Sequence, residues 1–391
     1  MTEHNVREAG PGGLASVLLA NGSLTTDWLP TFEAVPRELF VPDTLWPGRE
    51  SGVGQGEHIS RLNDPEAWRT AVYSDIPLTT QWDDGKHTGT GRGTTPTSSN
   101  SRPKLVFAML AALDVEPGHK VLEIGTGTGW NAALLAHRVG AENVVTVEVD
   151  TVNAAEAAAR LERAGVRPLS VVGDGALGFP QEAPYDRIMA TCSIGSVPYA
   201  WVTQARPGGV ILAPWGPAYG GEAITRLVVS GDGTASGQFV MSSAFMRLRD
   251  QRTRRPPRET YLKGADWPAG GDRRLTELSP DDMGDWVHMF TIGIQSPGMF
   301  CRPEWFENDA YRLWLFDVDA LSWATADFEK GRSTYVVVQS GPRRLWDEVE
   351  SAMAWWNAHD RPGFERFGLT VTPDGQHVWL DNPGTPVPKN G

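Results

Sequence analysis

The sequence predicts an α/β fold, a doubly wound parallel sheet, followed by a separate C-terminal α+β domain. Three observations carry this expectation. An apolar run (Val121, Leu122, Ile124) ends in glycines at alternate positions, Gly125, Gly127 and Gly129, before a helix-like segment. Strand-like and helix-like segments then alternate regularly, which is the signature of a parallel sheet covered on both faces. Past Arg273 the texture changes to short strand-like runs, a long amphipathic helix and many tryptophans.

Bulk properties set the class. With 391 residues and 40% apolar composition, the chain is long enough for two domains and a substantial core. A formal charge of −13 argues against a general binder of nucleic acid or anionic membrane, because phosphate affinity comes from basic surface. Cys192 and Cys301 lie far apart, so no disulfide framework and no metal-ligand pair is expected. The N-terminus carries acids and the apolar stretch after it is too short to span a bilayer; the expectation is a cytoplasmic protein without signal peptide or transmembrane helix.

Taken in order, Leu14–Ala20 has the apolar spacing of a short helix stopped at Asn21-Gly22, and a second helical piece leads to AVPRELFVP. Asp43–Ala71 is rich in Gly, Pro and charge and reads as an irregular excursion. From Leu78 to Pro103 a Gly/Thr/Ser-rich stretch reads as a long loop, favoured as a lid because it feeds the helix KLVFAMLAAL. After the glycines come strand Val144–Asp150, helix NAAEAAARLERAG, strand LSVVG ending at Asp174-Gly175, strand Asp186–Ser193, a helix from Pro198 to Ala205 closed by PGG, and strand VILAPWG. Two antiparallel strands flank Gly231-Asp232-Gly233. Six arginines with a Pro-Pro pair in RLRDQRTRRPPR read as a solvated linker or as a site for an acidic peptide. The last domain starts from a cap at Ser279-Pro280-Asp281-Asp282. It holds the strands YRLWLFD, SWATADF and TYVVVQSG, a helix with Leu345, Val349, Met353 and Trp356 on one stripe, and a hairpin around Pro373-Asp374-Gly375. Its tryptophans read as core or as an aromatic peptide-binding face. The expected divisions are 1–75, an N-terminal segment of the catalytic unit; 76–250, the cofactor domain; 251–272, the linker; and 273–391, an accessory domain for peptide recognition.

Glycine spacing selects the ligand. A dinucleotide fingerprint needs a glycine three positions after Gly127, where Trp130 stands, and the Gly-Lys-Ser/Thr of a phosphate loop is absent. Acids instead close successive strands: Glu123 before the turn, Glu148 on the next strand, Asp174 with Gly175 on the third. Any one of them alone reads equally as a helix cap. Together, around a glycine turn, they suit a cationic nucleoside, and S-adenosylmethionine fits.

The runs VLEIGTGTGWNAALLA, VVTVEVD, GDGALGFPQEAPYDRI and PGGVILAPWG, with AVPRELFVP and AVYSDIPL upstream, resemble the motifs of the protein-L-isoaspartate O-methyltransferase family over most of residues 14–249. The resemblance implies a class I methyltransferase sheet and S-adenosylmethionine as cofactor. It implies that Gly125, Thr126, Gly127 and Gly129 wrap the methionine part, that Glu148 takes the ribose hydroxyls and that Asp174 faces the adenine. Glu123, Trp130 and Gly175 complete the expected cofactor set. Ser101 takes the place of the family's active-site serine, as the catalytic residue, with Ser98 and Ser99 beside it on the substrate. The family's short Gly-Gln-Thr-Ile-Ser loop is replaced here by a long insertion ending PTSSNSRP. That departure, with the extra C-terminal region, is similar to homologues encoded beside peptide-modifying enzymes, chiefly the ATP-grasp ligases that make graspetides and more distantly lanthipeptide synthetases.

An aspartate carboxylate, with an ordinary pKa of about 3.9, is already ionised at neutral pH, so methyl transfer needs alignment more than a base or a metal. The favoured expectation is a monomer methylating an aspartate in a ring-constrained ribosomal precursor peptide, the ester then cyclising to aspartimide. Repair of L-isoaspartyl residues is the alternative. A cofactor-dependent peptide binder without transfer is the third.

Overall fold

The computed structural model describes residues 10–49 and 54–390. Residues 1–9, on which the expectation of no signal peptide rests, lie outside them, as do 50–53 of the expected excursion. The chain divides into two compact units: residues 1–192, 198–213 and 228–233 form the first, and residues 193–197, 214–227 and 234–391 the second. The second unit therefore takes in short pieces from inside the stretch expected to be one cofactor domain.

In the first unit the strands are β1 (Thr44–Pro47), β2 (Ile59–Ser60), β3 (Leu78–Trp82), β4 (Pro96–Asn100), β5 (Val121–Ile124), β6 (Val144–Glu148), β7 (Leu169–Val172), β8 (Tyr185–Ala190) and β9 (Ala205–Trp215, whose last two residues fall in the second unit). Strands β9-β8-β5-β6-β7 are neighbours in that order and every pair is parallel. All four residues of β5 are buried, as a central parallel strand requires. Helices Trp130–Val139, Thr151–Arg163 and Tyr199–Gln204 join successive parallel strands, and helix Pro103–Leu113 leads from β4 into β5. The N-terminal helices close the core: Trp28 and Phe32 meet Phe107 edge-on at 6.3 and 5.7 Å, and Phe107 meets Trp130 at 6.0 Å. Within Pro36–Pro42, Phe40 is fully buried while Leu39 is 41% exposed.

Two stretches expected to be irregular are ordered. β1 and β2 lie in the Asp43–Ala71 excursion, which ends in helix Pro65–Val72 capped by Asp64. The expected lid is a hairpin of β3 and β4, and with β1 and β2 it makes a second sheet, β2-β1-β3-β4. The Gly-rich tip hid the pairing, because the flanking strands are polar and lack alternation. The Asp83 carboxylate closes that tip by accepting the N–H groups of Thr94 and Thr95 at 2.9 and 2.8 Å. These two bonds hold its pKa below the ordinary value. The PGG expected to close a helix lies inside β9.

The second unit contains β10 (Glu222–Val229, its last two residues in the first unit), β11 (Ala235–Ser243), β12 (Asp272–Thr276), β13 (Met299–Trp305), β14 (Tyr311–Asp317), β15 (Trp323–Phe328), β16 (Tyr335–Ser340), β17 (Phe367–Thr372) and β18 (Gly375–Leu380). An antiparallel sheet in the order β12-β16-β15-β14-β13 carries helix Leu345–Ala358 on one face, where Leu345, Trp346, Val349 and Met353 join its core. The expected linker is not free chain: helix Arg258–Leu262 lies in it and its Tyr261 is buried in a second cluster with Phe300, Trp314, Phe316 and Trp323. The cap expected at Ser279 falls instead at Asp285, whose carboxylate receives the N–H groups of Val287 and His288 ahead of helix Trp286–Gln295. The β17–β18 hairpin pairs with β11 rather than with the five-stranded sheet. Trp314, Trp323, Trp346 and Trp379 are each at most 4% exposed and serve the core, whereas Trp286 and Trp305 are exposed at 38% and 66%. Among the described residues, no helix is long and apolar enough to cross a membrane.

Candidate active site

The glycine turn leaves β5 at the carboxyl end of the parallel sheet. Gly125, Gly127 and Gly129 have φ of +93°, +55° and +91°, a region in which only glycine is unstrained. At Gly125 a side chain would also meet the Thr191 hydroxyl at 2.9 Å, and that hydroxyl donates to the Gly125 carbonyl. Behind the turn, helix Trp130–Val139 begins without a side-chain cap, leaving N–H groups for a ligand.

Three of the expected acids sit at successive strand ends, in different roles. Glu123 is fully buried; its carboxylate accepts the Asn131 amide at 2.7 Å and the Thr146 hydroxyl at 2.6 Å. Burial pushes its pKa up to about 7, and the neighbouring Glu148 charge adds to the rise. Glu148 reaches over the turn, accepting the Gly127 N–H at 2.9 Å and the Asp150 N–H at 3.0 Å, one on each oxygen. Asp150, expected to end the strand, caps helix Thr151–Arg163 through Val152 and Asn153. Asp174 likewise accepts the Ala176 N–H at 2.9 Å, and the carbonyl of Gly175 accepts the Trp201 indole. Thr126 is bonded through its hydroxyl to Thr146 at 2.6 Å. Trp130 turns its ring into the core, donating to the Val35 carbonyl at 3.2 Å, so it offers the turn only its backbone.

Strand β4 runs beside this turn. The Ser99 carbonyl and the Ser98 hydroxyl lie 3.5 and 3.9 Å from where a side chain on Gly127 would begin. The Asn100 amide donates to the Thr128 hydroxyl at 2.9 Å, locking the strand to the glycines. Ser98 is buried, while Ser99 and Ser101 are half-buried. Ser101 follows the last residue of β4.

Sequence reasoning passed over the residue that holds this strand. Arg37, 1% exposed, donates to the Asn100 side chain at 2.7 Å, to the carbonyls of Asn100 and Ser101 at 3.3 and 2.9 Å, and to those of Val72, Ser74 and Ile76. It stood within AVPRELFVP, read for its prolines and apolar residues. A charged residue in such a setting was the available signal. Burial lowers its pKa to about 9.

Residues 15–253 match the family model of protein-L-isoaspartate(D-aspartate) O-methyltransferase. The chain belongs to this family. It is an S-adenosylmethionine-dependent O-methyltransferase with a class I methyltransferase sheet. The chain is 42% identical over 249 residues to the protein-L-isoaspartate O-methyltransferase of Azorhizobium caulinodans, covering 63% of this chain and 96% of that one. It is 39% identical over 135 residues to that of Pyrococcus horikoshii, covering 34% of this chain and 61% of the other. A solved protein-L-isoaspartate O-methyltransferase shares the fold with TM-score 0.52 at 20% identity, over 95% of this chain and 100% of that one. The likeness in fold thus runs past residue 253, where the family match ends.

The residues present in this methyltransferase fit the cofactor. The buried Asn131 amide oxygen beside the turn has no partner. Each Glu148 oxygen holds a single N–H, which leaves lone pairs for a ribose diol.

Proposed function

We propose that this methyltransferase esterifies the free carboxylate of an L-isoaspartyl residue in a polypeptide. The observation that carries the reading is the seating of the serine strand against the glycine turn, Ser99 and Ser98 beside Gly127, in a chain that spans 96% of a relative bearing that activity's name. The cofactor supplies a methyl group on a sulfonium, open to in-line displacement by a carboxylate oxygen. The protein's part is to align and desolvate that oxygen. The Ser98, Ser99 and Ser101 hydroxyls have no hydrogen-bond partner among the described residues, which leaves them for the carboxylate; Ser101 is the residue proposed to orient it. Gly125, Thr126, Gly127 and Gly129 are proposed to wrap the methionine part, Glu148 to take the ribose hydroxyls and Asp174 to face the adenine.

A second reading is favoured by one departure. The β3–β4 hairpin stands where the family's short loop belongs, which reshapes the acceptor side. It suits an aspartate in a ring-constrained ribosomal peptide, its methyl ester cyclising to aspartimide as the next backbone nitrogen expels methanol. The C-terminal unit does not add weight to that reading, because a solved protein-L-isoaspartate O-methyltransferase aligns in fold over 95% of this chain. Mass spectrometry separates the two. An unstructured isoaspartyl peptide that gains a methyl group, where its aspartyl twin does not, supports repair. Methylation followed by methanol loss only in a ring-bearing precursor supports the second reading and removes the first.

A further inference from the structure

In the second unit, one face of the five-stranded sheet carries guanidinium groups laid on aromatic rings. Phe300, Arg302 and Glu304 alternate along β13, opposite Phe316, Trp314 and Arg312 of β14. Arg258 lies 5.3 Å over the Trp314 ring and pairs with Glu304 at 2.9 Å. Arg312 lies 3.3 Å over Trp267 and pairs with Asp327 at 2.6 Å. These two are neutralised. Arg255 and Arg302 differ: both are exposed, and they lie over the same Phe300 ring, 5.6 and 5.7 Å from its centroid. An Arg302 N–H also reaches the Arg255 carbonyl at 3.5 Å. Among the described residues, neither has a carboxylate partner.

Two like charges on one ring repel each other and gain the fold nothing that a single arginine would not provide. An arriving anion turns that repulsion into attraction. Stacking on Phe300 holds the two forks in place beforehand, which lowers the ordering cost of binding. Phe306, 49% exposed and 5.7 Å from the Arg312 guanidinium, adds an apolar contact at the end of the strand.

We propose that Arg255 and Arg302 dock an acidic segment, rich in Asp and Glu, of the polypeptide this methyltransferase modifies. The proposal rests on the polypeptide-acceptor reading above. Carboxylates suit the site better than a nucleic acid, because a chain of net charge −13 repels a long polyphosphate while a short acidic segment needs only this patch.

The test is fluorescence anisotropy with full-length protein and no cofactor, so that binding is read apart from methyl transfer. The probes are a labelled Glu-Gly repeat peptide, its Gln-Gly counterpart and a labelled oligothymidylate. The Glu peptide should bind at least about tenfold more tightly than the other two, about 1.4 kcal/mol. Arg255→Glu with Arg302→Glu should abolish that preference, and Arg255→Gln with Arg302→Gln should weaken it should the reversal disturb folding. Equal affinity for the Gln peptide, an oligonucleotide bound as tightly, or unchanged binding by the folded Gln double variant would each overturn the proposal.

Discussion

At the scale of single residues, the site joins a turn of three glycines at positive φ to a serine strand held by one buried arginine. Ser101→Ala should lower turnover by about 10- to 100-fold, the loss of one positioned hydrogen bond in a desolvated site, with cofactor affinity unchanged. Steady-state kinetics beside equilibrium dialysis check this, and near-normal turnover moves the role to Ser98 or Ser99. Arg37→Met strips donors from several buried carbonyls and from Asn100. At about 1–3 kcal/mol for each acceptor left without a partner, partly relieved by relaxation, it should cost at least about 3 kcal/mol in denaturant unfolding. A loss under about 1 kcal/mol would mean those carbonyls find other donors. Glu123 makes stability depend on pH. Its folded pKa, about 7, lies above the ordinary 4.5, so the native state holds the extra proton. Its contribution is therefore present below pH 4.5 and is lost as pH rises to about 7. Glu123→Gln should flatten the fall in melting temperature across that window; an unchanged slope assigns the effect to another group.

At the scale of elements, the strong periodic segments formed where their patterns placed them, and the ends and polar strands did not. Helix Trp286–Gln295 begins at Asp285 because that carboxylate meets two free N–H groups, whereas the Ser279 hydroxyl meets only the Asp281 N–H, at 3.3 Å. Asp285→Ala should therefore cost about 1 kcal/mol in chemical denaturation and Ser279→Ala only a few tenths. The reverse order would restore the cap to Ser279. The hairpin β3–β4 was illegible for a related reason. Its order comes from Asp83 gripping Thr94 and Thr95 and from pairing with β1, contacts between residues that no local pattern links.

At the scale of the molecule, the division into units is not the one that residue order implies. Pieces at 193–197 and 214–227 belong with the C-terminal region, and β17 pairs with β11. A chain ended after Arg249 would leave β11 without β17 and the second unit without its core. It is expected to be recovered as aggregate, with no cooperative melting transition in calorimetry. A soluble, cooperatively folding product would show that the first unit stands alone. What the sequence determined by itself was the parallel sheet, the glycine turn, the strand-end acids and the methyl donor they imply. These are local signals, because glycine conformation and strand burial are written in adjacent residues. Which side chains converge on the turn was decided by tertiary structure alone. Arg37, Asn100 and Thr128 are far apart in the chain, and only the packed fold makes a buried guanidinium the support of a serine strand.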